Sequence, residues 1–419
     1  MFVAELLVEG CNRLKGEVTV QGAKNSALPI LAATVATADE SVLYNCPRLS
    51  DVDSAVKILR YLGCSATFSG HSLVVDTKGL CCDHIPDALM RQMRSSIVFL
   101  GAILTRLKTA KLTFPGGCEL GARPIDLHLD ALSRMGATIS EKHGEIVCAA
   151  PKGLVGANIA LAFPSVGATE NIIIAATRAK GTTVITNAAR EPEIEDLCAY
   201  LNSCGASIRG AGEGTVVIDG TDKLHGTAHT IIPDRIVAAT LMSAAAVTGS
   251  DITLRGVISS HLSAVIPVFE EAGCDIRIKD GDLTINAPGR LRAFSTVRTT
   301  PYPGFPTDAQ APLMAVATLA QGTTVFVENI FENRYKHASE LVRLGAKVRT
   351  EGKVAVVEGV RELYSSSLQG SDLRGCACLA VASLAAQGKT TIDTTGYLER
   401  GYENFDVVLR NLGANIKMI

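Results

Sequence analysis

The chain has 419 residues, room for two or three domains, and its 40 Lys and Arg against 42 Asp and Glu leave a net charge of −2. That balance gives no global pull toward nucleic acid or an anionic membrane, so its cations must act locally. The 12 cysteines are scattered singly, which fits a reducing cytosol better than a disulfide framework, and neither Cys81-Cys82 nor Cys376-Ala-Cys378 has a second pair at metal-ligand spacing.

The chain opens on a strand. Residues 1–10 carry Glu5 and lack the basic flank and long apolar core of a signal peptide, and no segment is long and apolar enough to cross a membrane. An Ala-rich helix is expected at Ala27–Thr37, then an amphipathic helix at Asp51–Leu62 that ends on Gly63, a strand, and a second short apolar run at Leu73–Asp76 that makes a hairpin. The same order recurs. Gly63, Gly136, Gly205, Gly273, Gly345 and Gly413 follow one another at intervals of 68 to 73 residues, each after an amphipathic run such as Asp126–Met135 or Ala338–Leu344. Further hairpin strands fall at Thr215–Asp219, Leu283–Asn286 and Val354–Glu358. Apolar helices that should be buried on all sides fall at Ser95–Leu107, Thr169–Ala179, Ile236–Thr248, Ala311–Ala320 and Cys376–Ala386.

The sixth repeat lacks its last strand, and the segment from Glu5 to Leu14 resembles the run around Glu358–Leu363, so the N-terminal strand is expected to complete it. Both chain ends then lie in one lobe. The fold expected is α/β, with two lobes of three βαβαββ-type repeats: one lobe from 22 to 232, the other from 1–21 joined to 233–419, with a cleft between them.

Polar residues mark the starts of the apolar helices: Lys24-Asn25, Arg94, Ser165, Asp234-Arg235, Asp308 and Arg374. Ser165 and Asp308 could be ordinary N-caps. Lys24, Arg94 and Arg374 oppose the helix dipole, which is easier to understand if helix ends gather around an anionic ligand. Between Phe114 and His128 lie three glycines, two prolines, Cys118 and, five residues later, Arg123. That composition suits a lid, and a thiol beside an arginine can be acidified for use as acid or nucleophile.

With this loop, Gly22-Ala-Lys-Asn25, Pro164-Ser-Val-Gly-Ala-Thr169, Ala189-Arg-Glu-Pro-Glu193, Phe305-Pro-Thr-Asp308, Phe331-Glu-Asn-Arg334 and Arg400-Gly-Tyr402, the chain resembles the UDP-N-acetylglucosamine 1-carboxyvinyltransferase family over essentially its whole length. The resemblance implies an inside-out α/β barrel pair, cytoplasmic location and no metal or organic cofactor. It also implies transfer of the enolpyruvyl group of phosphoenolpyruvate to the 3-hydroxyl of UDP-N-acetylglucosamine with release of phosphate, the first committed step of peptidoglycan synthesis. The substrates would be these two small molecules, with no nucleic acid or membrane as partner.

Carried over residue by residue, Cys118 is the lid cysteine, a proton donor or a covalent trap that also forms an adduct with fosfomycin. Asp308 is the base near the sugar hydroxyl. Lys24, Arg123 and Arg400 surround phosphoenolpyruvate, with Asn25 as a neutral donor. Arg94, Arg334 and Arg374 are supporting cations, each with salt bridging as the alternative, and Arg94 is also a nucleotide-sugar contact. Arg123, Pro124, Ile125, Asp126 and Leu127 surround uridine, Ser165, Val166 and Gly167 meet the diphosphate, and Asp308 with Ile330 meets the sugar. His128 is either ligand contact or packing, and Glu191 and Glu193 either position groups or stabilise a helix start.

The chain departs from the family pattern at Phe163, where some members have lysine, at Tyr397, in place of histidine, and at Val237, in place of an acid. Two other readings stand beside the main one: a catalytically reduced regulator that binds the nucleotide sugar, and 3-phosphoshikimate 1-carboxyvinyltransferase, whose family has a Pro-Gly-Ser-Lys-Ser type segment and no cysteine loop.

Overall fold

The computed structural model describes residues 5–116, 125–142 and 144–419. Cys118, Arg123 and Pro124 lie outside them. The chain divides into two compact units, residues 22–232 and residues 5–21 with 233–419, each with its own hydrophobic core.

One unit of construction recurs through both. An apolar helix leads into a strand, an amphipathic helix follows, and a hairpin returns to pair with that strand. The strands bury alternate residues, as in Asp251–Arg255, where Ile252 and Leu254 face the core. The amphipathic helices Ser50–Tyr61, Asp126–Arg134, Pro192–Ser203, Ile266–Glu271, Ala338–Arg343 and Phe405–Asn411 are each followed by one capping residue and then by Gly63, Gly136, Gly205, Gly273, Gly345 or Gly413. These six glycines have φ between 91° and 101°, the left-handed region that lets a helix end and turn back at little steric cost.

Each unit closes on itself. In the 22–232 unit, Ala228–Thr230 near its end runs parallel to Glu40–Tyr44 near its start, in the sheet that also holds Ser72–Asp76 and Ser65–Ser69. In the other unit Lys15–Thr19 runs parallel to Asp251–Arg255. Glu5–Glu9 lies between Lys389–Asp393 and Asn415–Met418, antiparallel to both, in the position that Ser72–Asp76 takes in its own sheet. The chain is thus α/β with mixed sheets.

The apolar helices Lys24–Thr37, Val166–Ala176, Arg235–Val247, Thr307–Leu319 and Leu373–Ser383 form the centre of the units; in the first, every residue but Asn25 is buried. All five start earlier than their apolar runs suggest; in Lys24–Thr37, Arg235–Val247 and Thr307–Leu319 polar residues open the first turn. Two expected helices differ further. In place of one helix over Ser95–Leu107, a 3-10 turn at Arg94–Val98 precedes the α-helix Phe99–Leu107, with the Ser96 hydroxyl donating to the carbonyls of Met90 and Met93. Cys376–Ala386 is shifted to Leu373–Ser383, because Asp372 caps the helix start and Ala386–Gln387 pairs with Leu363–Tyr364.

Candidate functional site

The helix Thr307–Leu319 carries Asp308 in its first turn, where the extended Pro306 precedes it and no side-chain cap is formed. The Asp308 carboxylate turns instead to two arginines. Arg334 Nη2 lies 3.0 Å from Oδ1 and Arg374 Nη2 lies 3.1 Å from Oδ2, while Arg334 also donates to the Thr307 carbonyl at 2.9 Å. Arg334 and Arg374 are 1% and 2% exposed, so they are buried members of a charge network and not surface salt-bridge partners. Asp308 remains 27% exposed, so part of its carboxylate can be reached from solvent.

Three more residues complete this frame, of which the sequence motifs include only Tyr402, without a role. Asp372 Oδ1 caps the helix Leu373–Ser383 by accepting from the amides of Arg374 and Gly375, and it lies 3.7 Å from Arg334 Nη1. Tyr402 packs under the Arg374 guanidinium, 5.4 Å from ring centre to Cζ, and pairs its hydroxyl with Thr240 at 2.9 Å. Burial works against the Arg374 charge, but Tyr402, Asp308 and Asp234 outweigh it and raise the arginine above its ordinary range. His337 is wholly buried and held down to about 4, chiefly by burial, with Asp372 opposing and Arg334 assisting; it is a neutral ring at pH 7. An Asx cap before a helix and an aromatic after Gly401 were visible in the sequence, yet nothing local said that they converge on Asp308.

Ile330 sits in the turn after strand Thr323–Val327, half-buried, with its amide donating to Glu328. Arg400 ends the 3-10 turn Leu398–Arg400. Beyond it the Gln21 side chain accepts from the Glu403 amide at 2.8 Å and donates to the Gly401 carbonyl at 3.3 Å, fixing the loop next to Arg400.

In the 22–232 unit Lys24 is 9% exposed in the first turn of its helix, with Nζ 3.3 Å from Asp51 Oδ2. The helix-start cation therefore has a counter-ion within its own unit. Asn25 beside it is the half-buried residue of that helix. Pro29 and Pro312 have no N–H for the carbonyls of Asn25 and Asp308, so neither carbonyl is taken up by the i+4 bond of its own helix. The next residue, Ser26, donates to buried Asp196, which also accepts from His229 Nε2 at 2.8 Å and from the Ile232 amide at 3.3 Å.

Ser165 caps the helix Val166–Ala176, its hydroxyl accepting from the Ala168 amide at 3.3 Å, and Val166 and Gly167 form the open first turn. His128 lies against this turn: a Cβ placed on Gly167 would come within 3.4 Å of its ring. His128 belongs to the helix Asp126–Arg134, preceded by buried Ile125, with Asp126 exposed and Leu127 half-buried. Asn171 fixes its tautomer. The Asn171 Oδ1 accepts from the Gly101 amide at 2.8 Å, so its Nδ2 donates, to the Ile97 carbonyl and to His128 Nδ1 at 3.0 Å, leaving the ring proton on Nε2. Burial, with help from the Arg94 charge, lowers His128 to about 4. Arg94 is half-buried and donates to the Pro115 carbonyl at 3.2 Å, at the head of the glycine-rich loop.

Glu193 is buried and Glu191 starts its helix without capping it; both press on Glu170, whose carboxyl is raised well above its ordinary range by burial first and these two charges second. Of the departures, Phe163 is exposed, Val237 is buried in its helix and Tyr397 is half-buried. Among the described residues no cluster of His, Cys, Asp and Glu could hold a metal ion, and no helix is long and apolar enough to cross a membrane.

Residues 8–409 match the family described as EPSP synthase (3-phosphoshikimate 1-carboxyvinyltransferase). The chain is 48% identical over 412 residues to UDP-N-acetylglucosamine 1-carboxyvinyltransferase 2 of Caldanaerobacter subterraneus subsp. tengcongensis, covering 98% of this chain and 99% of that one. It is 47% identical over 418 residues to UDP-N-acetylglucosamine 1-carboxyvinyltransferase 1 of Symbiobacterium thermophilum, covering 99% and 95%. Among solved structures, the enolpyruvyl transferase NikO from Streptomyces tendae matches with a TM-score of 0.90 at 26% identity, covering 99% of both chains.

Proposed function

Because the chain belongs to the enolpyruvyl transferase family that includes EPSP synthase, we propose that it transfers the enolpyruvyl group of phosphoenolpyruvate to the 3-hydroxyl of UDP-N-acetylglucosamine and releases phosphate. The observation that carries the reading is the carboxylate of Asp308, fixed by two buried arginines yet partly exposed, in a chain that matches relatives of that name over nearly its whole length.

The chemistry needs an acid, a base and cations. Asp308 accepts the proton of the sugar hydroxyl as its oxygen bonds to C2 of phosphoenolpyruvate, and the methylene carbon gains a proton to become a methyl group. Loss of a proton from that methyl group then expels phosphate and restores the double bond. Cys118 is assigned to the proton transfer at the vinyl carbon or to covalent trapping of the donor. Lys24, Arg123 and Arg400, with the neutral Asn25, are assigned to the carboxylate and phosphate of phosphoenolpyruvate, where their charge favours the tetrahedral intermediate.

Arg334 and Arg374 act through Asp308 by holding it. For the nucleotide sugar the assignment is Arg94 as a contact, Arg123, Pro124, Ile125, Asp126 and Leu127 at uridine, the first turn Ser165, Val166 and Gly167 at the diphosphate, and Asp308 with Ile330 at the sugar. The open first-turn amides of Val166 and Gly167 support the diphosphate assignment. The proposal includes an inside-out α/β barrel architecture with three repeats in each of two lobes, 22–232 and 1–21 with 233–419, and a cytoplasmic site of action.

The test is phosphate release from phosphoenolpyruvate by the purified protein. Release is expected with UDP-N-acetylglucosamine and not with shikimate 3-phosphate. Release with shikimate 3-phosphate, or none with either acceptor, contradicts the assignment.

A further inference from the structure

Glu328 stands at the end of strand Thr323–Val327 and is 1% exposed. A carboxylate so placed is costly unless its oxygens are saturated. Four hydrogen bonds hold it. Oε1 accepts from the Thr299 hydroxyl at 2.9 Å, the Ile330 amide at 2.8 Å and the Phe331 amide at 3.1 Å, and Oε2 accepts from the Thr307 hydroxyl at 3.0 Å. Thr299 is itself used fully, since its hydroxyl accepts from the Asn329 amide at 2.9 Å and its carbonyl from the Asn329 side chain at 3.1 Å.

The four bonds reach two segments that matter. Ile330 and Phe331 form the turn assigned to the acceptor sugar, and the Phe331 ring lies 5.7 Å from the guanidinium of Arg334. Thr307 is the residue before Asp308, and its carbonyl is held by that same Arg334. Glu328 therefore grips the frame around Asp308 at two points, the turn that supports Arg334 and the helix start that bears the carboxylate.

We propose that Glu328 is a positioning residue for the acceptor, holding the Ile330 turn and the Asp308 helix start in register so that the sugar meets both at once. The inference rests on the enolpyruvyl transfer reading. Glutamine can keep most of the arrangement: its carbonyl oxygen replaces Oε1 for three donors, and its amide can donate to the Thr307 hydroxyl. Alanine leaves two amides and two hydroxyls without their acceptor in a buried place.

The experiment measures kcat and both KM values for the wild type, Glu328→Gln, Glu328→Ala and Thr307→Val, with circular dichroism giving the folded fraction. Glu328→Ala is expected to raise KM for UDP-N-acetylglucosamine about tenfold and to lower kcat, with KM for phosphoenolpyruvate within about twofold of wild type. Glu328→Gln should return the acceptor KM to within about threefold of wild type. Thr307→Val removes only the bond to Oε2 and serves if alanine at 328 does not fold; its acceptor KM should rise about threefold. The inference is overturned if the two KM values move together, if activity falls only with folded fraction, or if Thr307→Val leaves the acceptor KM unchanged. A wild-type protein that transfers nothing overturns both this inference and the reading beneath it.

Discussion

Asp308→Asn separates the two jobs assigned to one carboxylate. Removing one member of a fully buried ion pair costs roughly 3–5 kcal/mol. Asp308 is 27% exposed, asparagine still accepts from one guanidinium, and Arg334 keeps Asp372 at 3.7 Å as a negative neighbour. The cost should therefore be lower, about 1–3 kcal/mol. For a unit of this size that is a fall in Tm of about 2–12 °C. Loss of the base should lower kcat/KM by about 10²- to 10⁴-fold. Differential scanning fluorimetry reads the first quantity and continuous phosphate release the second. A variant with unchanged Tm and a rate within tenfold of wild type would refute both the network and the assignment of the base.

Glu170→Gln should flatten the dependence of Tm on pH. The folded carboxyl is raised, so its stabilising contribution is full below the unfolded value near 4.3 and is lost as pH rises, by up to about 1.4 kcal/mol per pH unit. Tm of the variant should exceed that of wild type at pH 8 and approach it at pH 4; parallel curves would sink the idea. Gly345→Ala forces a side chain into φ 92° with Tyr364 Cδ2 at 3.3 Å, and should cost about 1–2 kcal/mol in chemical denaturation. Fosfomycin should add its mass to the peptide containing Cys118, as read by tryptic mass spectrometry, and labelling at another cysteine would count against that role.

Much of the architecture was legible because its signals are local. The spacing of six glycines after amphipathic runs reflects a backbone requirement, a positive φ at each helix end, that the structure meets within a range of 10°. Helix starts were less legible, since Lys24 and Arg374 lie inside the first turn of helices whose apolar runs begin later. The motifs pointed to Asp308 and Arg334 and the helix starts to Arg374, and the structure brings the three together. Asp51, Glu328, Asp372 and Tyr402 were not singled out for the site, because their part in it is set by neighbours 27 to 162 positions away in the chain. A capping aspartate and a strand-end glutamate look ordinary until the fold shows what they hold.

The account stands most directly on where the transferred group ends. Phosphoenolpyruvate labelled with ¹³C at C2, incubated with UDP-N-acetylglucosamine and the purified protein, should give a vinyl ether carbon that couples across oxygen to the proton on C3 of the glucosamine ring, with one phosphate released for each product. Attachment at another hydroxyl, or label found only in unchanged phosphoenolpyruvate, would contradict it.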